Sequence, residues 1–181
     1  VFRCFTERKP GFDIEARALR NELALFFDIG TEYVRIFNRY DLEGIDGETY
    51  RHARKTILSE PQTDFCYDEH RPDVDGEYSI LAVEALPGQY DQRADSCAQC
   101  IQVMTRGERP AVRTARVYVF GGNIKKEEME LIRKHLINPV ETREASDRKP
   151  DTLKQAYPEP CDIGIIDGFI KLDADGLKGI L

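Results

Sequence analysis

Leu86-Pro87-Gly88-Gln89-Tyr90-Asp91-Gln92-Arg93-Ala94-Asp95-Ser96-Cys97-Ala98-Gln99-Cys100 is the stretch on which the fold reading turns. A Pro-Gly turn ends a strand, and Asp91 opens a helix whose first turn is polar through Gln92, Arg93 and Asp95. Behind that turn Ala94, Cys97, Ala98, Ile101 and Met104 recur at helical spacing and make one apolar stripe. Near the start of the chain the same order appears. Lys9-Pro10-Gly11-Phe12-Asp13 precedes a helix that directs Ala16, Leu19, Leu23 and Phe26 inward. Asp13 and Asp91 lie 78 residues apart.

At that offset Ala16 meets Ala94, Val34 meets Val112, Arg35 meets Arg113, Tyr40 meets Tyr118, Gly44 meets Gly122, Leu58 meets Leu136 and Pro61 meets Pro139. The Pro-Gly turns align at 77, one residue short. Identities that fall on caps, turns and core positions at one offset indicate a structural unit used twice. Each copy reads as strand, helix, strand, a short further strand at Asp41–Gly44, helix, strand. The expectation is an α+β fold of two tandem ferredoxin-like (βαββαβ) units related by a pseudo-two-fold. Each has an antiparallel sheet with helices on its outer face, the other face packing on its twin. The first unit spans 1–70 and the second 77–147, with the acidic stretch Asp68–Gly76 between them. From 148 to 181 prolines at 150, 158 and 160 mark a connector and the start of a linker domain, and the chain reads as part of a longer one.

The 181 residues carry a net charge of −7, which argues against a nucleic-acid or anionic-membrane surface. No run reaches the ~20 apolar residues of a membrane-spanning helix, and no signal peptide is visible. Five scattered cysteines make a poor disulfide framework and point to a reducing, cytoplasmic setting.

Several short motifs have simpler structural readings. Cys97-x-x-Cys100 has no second ligand pair for zinc and lies a turn inside its helix, so Cys97 reads as core. Cys66 to His70, with Asp68 and Glu69 between, resembles half a metal site, but an acidic, solvated loop explains it more simply. Gly121-Gly122-Asn123 reads as turn chemistry because Gly44 stands at the matching position. Arg106, Arg109, Arg113 and Arg116 form a basic run, but strand alternation places Arg113 and Arg116 on opposite faces. The polar turn Gln92, Arg93, Asp95 is the candidate contact surface. It replaces Ile14, Glu15 and Arg17 of the first copy.

The strings Lys9–Asp13, Asn38–Asp41, Leu86–Asp95, Gln99–Gln102, Gly107–Pro110 and Leu136–Glu141 resemble the N-terminal region of the large, single-chain phosphoribosylformylglycinamidine synthases, and the similarity extends through Phe169 and Leu177. In that family this region is similar to two fused copies of a separate small subunit, which agrees with the duplication. The resemblance implies a purine-biosynthesis ligase that uses ATP, Mg and glutamine, with a glutaminase domain supplying ammonia to a synthetase domain. The glutaminase nucleophile with its His and Glu, and the synthetase phosphate cradle, do not occur in these residues. The implied role is therefore a non-catalytic domain, without cofactor or metal of its own, that docks the synthetase and glutaminase domains of the same chain. Lys125 departs from the capping residue common at that position in the family. The alternative is a stand-alone regulatory module of paired ferredoxin-like units with a small ligand between them.

Overall fold

A computed structural model describes residues 1–154 and residue 169. The elements are β1 (Phe2–Arg8), α1 (Ile14–Phe27), β2 (Val34–Glu43), α2 (Gly47–Thr56) and β3 (Asp64–Asp68), then β4 (Tyr78–Ala85), α3 (Gln92–Thr105), β5 (Ala111–Gly121), α4 (Lys126–Leu136) and β6 (Thr142–Glu144). The strands form one antiparallel six-stranded sheet in the order β3-β1-β2-β5-β4-β6. With its four helices this is an α+β fold compatible with ferredoxin-like units. The apolar stretch from Cys161 to Ile170 and the helix start expected at Asp173–Lys178 lie outside the described residues, Phe169 excepted.

Two expectations about the sheet are corrected. The short strand foreseen at Asp41–Gly44 is the continuation of β2, which pairs with β1 as far as Phe2↔Leu42, so each half contributes three strands. Nor do two sheets stack face to face. The strand sets meet edge to edge along the β2–β5 ladder, from Val34↔Phe120 to Glu43↔Ala111. This joint satisfies the backbone groups of what would otherwise be two long open edges.

Alternation along the strands sends even-numbered β2 and β5 residues to the helical face. There α1 and α4 cover Val34, Leu81, Val83, Tyr118 and Phe120 with Leu19, Leu23, Met129 and Ile132. The pair α2 and α3 covers Cys4, Tyr40 and Leu42 with Tyr50, Ala53, Cys97 and Ile101. Helix α1 lies against β2 and α3 against β5, each in its own half, while Leu19 and Leu23 of α1 also join the cluster of Leu81, Val83, Tyr118 and Phe120, and Cys97 and Ile101 of α3 that of Cys4, Tyr40 and Leu42. The opposite face holds Phe5, Phe37, Ala82, Ala115, Val117 and Val119. It also holds a buried charged network. Arg3 donates to both oxygens of Asp41, at 2.6 and 2.9 Å, and Arg39 lies alongside.

Chain ends and turns follow local chemistry with three departures. Asp91 caps α3 by accepting from Ala94 N–H at 3.0 Å, whereas Asp13 makes no capping bond and instead accepts from Gly11 N–H and faces Arg17. Helix α3 ends on Arg106 in the left-handed region, φ 54°, one residue before Gly107. In α1, Phe26 is exposed, and Phe27, four residues after Leu23, turns toward the core and the His135 ring. At α4, Glu128 accepts from the backbone N–H of Lys125, so the poor capping residue is bypassed.

The 78-residue spacing recurs in the backbone. Asp28 and Arg106 both end helices with left-handed φ, 55° and 54°. Gly44 and Gly122 both take positive φ, 89° and 99°, a conformation open to glycine without a Cβ penalty. Asn38 pairs with Arg116 at the middle of the β2–β5 ladder, and these two residues are themselves 78 apart.

Candidate functional site

The first turn of α3 lies over the β2–β5 joint because the stripe of Ala94, Cys97, Ala98 and Ile101 is buried beneath it. Asp91 fixes its entry twice: besides capping, it accepts from Thr114 Oγ1 of β5 at 2.7 Å. Gln92 is exposed. Arg93 is also exposed, and its Nη1 reaches the Tyr40 hydroxyl at 3.4 Å. Burial holds the Tyr40 hydroxyl above its ordinary pKa, an effect Arg93 partly offsets. Asp95 is not free: Arg109 pairs with it, and Tyr90 donates to it at 3.1 Å. The three residues expected to face outward therefore divide. Gln92 and Arg93 are presented at the surface, while Asp95 is engaged with its neighbours.

Arg93 projects into a cleft of about 520 Å³ that also takes in Glu15, Asn38 and Arg116. These four residues are two pairs at the repeat spacing, Glu15 with Arg93 and Asn38 with Arg116. Glu15 pairs with Arg116, one of its bonds measuring 3.2 Å. The corresponding combination in the other half is Arg93 beside Asn38, where a carboxamide stands in place of a second charged partner. Asn38 Oδ1 is buried without a hydrogen-bond partner. Arg93 thus has no carboxylate partner among the described residues, and its planar fork of donors is available to an acceptor from outside. The roles of Glu15, Asn38 and Arg116 were not picked out from sequence. The offset that pairs them was visible, but which residues meet at the joint depends on strand order.

Thiol chemistry divides differently from the Cys-x-x-Cys reading. Cys97 is buried, and its environment pushes its pKa up to about 12. Cys4 and Cys66, on neighbouring strands β1 and β3, bring their sulfurs to 3.4 Å. The Cys4 hydrogen bond, then Arg54, hold the Cys66 thiol down at about 6 against the opposing effect of burial, while Cys4 moves upward. No local motif marks this pair.

The glycine turn before α4 spends its amides on backbone carbonyls, Gly121 N–H on Tyr33 and Gly122 N–H on Glu77, so neither is free for an anion. Among the described residues, no group of three or more His, Cys, Asp or Glu side chains gathers to hold a metal ion. No described helix is long and apolar enough to cross a membrane. No family model, curated protein or solved structure matches the chain.

Proposed function

We propose that this chain is the duplicated, non-catalytic N-terminal domain of a large single-chain phosphoribosylformylglycinamidine synthase. In this reading residues 1–70 and 77–147 are two ferredoxin-like copies related by a pseudo-two-fold through the Asn38–Arg116 pair, and residues 148–181 lead into the linker domain. The domain docks the synthetase and glutaminase domains of the same cytoplasmic chain, where ATP, Mg and glutamine act. The observation that carries the docking role is the first turn of α3, fixed by the bonds of Asp91 to Ala94 and Thr114, with Arg93 lacking a carboxylate partner among the described residues. The matched registers and helix ends of the two halves support the duplication, and the sequence resemblance supplies the enzyme.

The test uses the longer polypeptide. Arg93→Ala is expected to lower glutamine-dependent activity while leaving ammonia-dependent activity near wild type. In the 181-residue chain it should shift stability by no more than about 0.5 kcal/mol, as exposed substitutions do. Unchanged glutamine-dependent turnover would remove the docking role, and a gene whose downstream sequence lacks glutaminase and synthetase motifs would remove the enzyme assignment.

One observation favours a second reading, a regulatory module. The axial cleft of about 520 Å³ is large enough for an amino acid or nucleotide fragment. Saturable binding of an amino acid or purine nucleotide to the 181-residue chain, abolished by Arg116→Ala, would favour that reading over docking.

A further inference from the structure

The helix-free face carries a second concavity, of about 560 Å³, between the ends of β2, β4 and β5 and residues 146–151. It shares no residue with the α3 cleft. Its acidic residues are mostly spoken for. Asp41 is held bidentately by Arg3, Glu84 by Arg143 at 2.7 Å, and Glu144 by Arg133 at 3.0 Å. Lys149 at its margin is taken by Glu69, at 2.6 Å.

Arg39, Arg113 and Arg148 remain against Asp151, with Arg39 already within ion-pair reach of Asp41 and Glu84. Arg113 and Arg148 make no side-chain ion pair among the described residues. Arg39 is 3% exposed and uses Nη1 on the Ser146 carbonyl at 2.7 Å. Its Nε has no hydrogen-bond partner, the Asp41 carboxylate standing 3.5 Å away, and its Nη2 lies 3.9 Å from Glu84. Burial, with the neighbouring Arg3, holds this guanidinium below its ordinary pKa despite Asp41 and Glu84. A buried guanidinium whose carboxylate partners stand beyond hydrogen-bond distance, together with two arginines that make no ion pair among the described residues, lines one cavity, an arrangement that a planar or tetrahedral oxyanion completes.

We propose that this cavity is a binding site for a small oxyanion, the phosphate or carboxylate group of a metabolite, held by Arg39, Arg113 and Arg148. Arg39 supplies a desolvated guanidinium in the lining. Arg113, opposite Asp41 in the β2–β5 register, and Arg148, on the segment after β6, close on the anion from the sheet and from above. The site is separate from the docking role proposed for Arg93, so either assignment stands if the other fails.

Calorimetric titration of the 181-residue chain at low ionic strength, with inorganic phosphate and in parallel with citrate, tests it. The expected result is saturable one-site binding of at least one of them. Phosphate alone identifies a phosphoryl ligand, citrate alone a carboxylate ligand, and both a site that reads charge and shape only. The double variant Arg113→Ala/Arg148→Ala, at half-exposed and exposed positions that leave the buried network intact, should weaken binding at least tenfold. Arg93→Ala should leave it unchanged. No saturable binding of either anion, or equal binding by the double variant with its thermal unfolding intact, would overturn the proposal. Should the double variant unfold, Arg113→Gln alone is measured against the same tenfold criterion.

Discussion

At the scale of single residues, the two halves use the same residue type to different effect. Asp91 and Asp13 occupy equivalent positions, but only Asp91 caps its helix, and it adds a bond to Thr114. Asp91→Ala is expected to cost about 1–2 kcal/mol in urea unfolding, the usual worth of a cap, and Asp13→Ala clearly less. Equal losses would show that the capping bond of Asp91 contributes nothing. The cysteines give a second contrast. At neutral pH Cys66, with a pKa near 6, should react with a thiol reagent well before Cys97, whose pKa is near 12, in the native chain. Between about pH 6 and the ordinary thiol value of 9.0, the native state holds Cys66 deprotonated while the unfolded chain binds the proton. Stability from this group is therefore complete above pH 9.0 and is lost as pH falls toward 6. Cys66→Ser should flatten that part of the stability profile measured by denaturant titration, and an unchanged slope would contradict the assignment.

At the scale of elements, the segment after β6 behaves as a strap. Ser146 and Asp147 offer carbonyls to Arg39 and Arg3, Lys149 pairs with Glu69, and Thr152 and the Leu153 N–H close on Glu43. Leu153 is buried. A boundary at Asp147 thus cuts through contacts that reach back to β2 and to the loop after β3. A chain ending at Lys154 should be more stable than one ending at Asp147 by the order of one buried leucine, about 1.5–3 kcal/mol. Equal melting temperatures would return the boundary to 147. The strap also has a pH sense. The Leu153 N–H, then Thr152, hold the Glu43 carboxyl below its usual range. That support is present above the ordinary carboxylate pKa and fades as pH falls below it. Hydrogen exchange at Leu153 should accelerate in acid before the sheet amides do.

At the scale of the whole molecule, the crossing of helices over the joint ties the halves together. Leu19 and Leu23 of α1 complete the cover of β4 and β5, and Cys97 and Ile101 of α3 complete that of β1 and β2. Each half keeps a helix of its own over its strands, α2 on the first and α4 on the second, but its apolar cluster is completed by a helix of the other half. Residues 1–76 and 77–154 produced separately are therefore expected to lack cooperative unfolding, and to regain it when mixed as equimolar partners. Cooperative melting of either half alone would show that the joint is an accessory contact rather than part of the core.

How much of this was legible from sequence follows from the range of the signal. Cap, stripe and turn are local: the spacing of Ala94, Cys97 and Ile101 and the stop at Pro61 or Pro139 depend on residues within a few turns, and those elements stand where periodicity puts them. The repeat at 78 was equally visible, since it needs only comparison of the chain with itself. Strand order is another matter. Periodicity assigns each strand two faces but not its neighbours, so it left open whether the halves stack or join. The tertiary structure decided that β2 and β5 pair, because their long edges then satisfy each other. From that single choice follow the meeting of Glu15, Arg93, Asn38 and Arg116 and the apolar clusters shared between the halves, while the Arg3–Asp41 pair follows from β1 lying against β2. The Cys4–Cys66 contact depends likewise on β3 lying against β1. By itself the sequence determined the order of the elements. Tertiary pairing alone determined the clefts, since each is lined by residues that only the assembled sheet brings together.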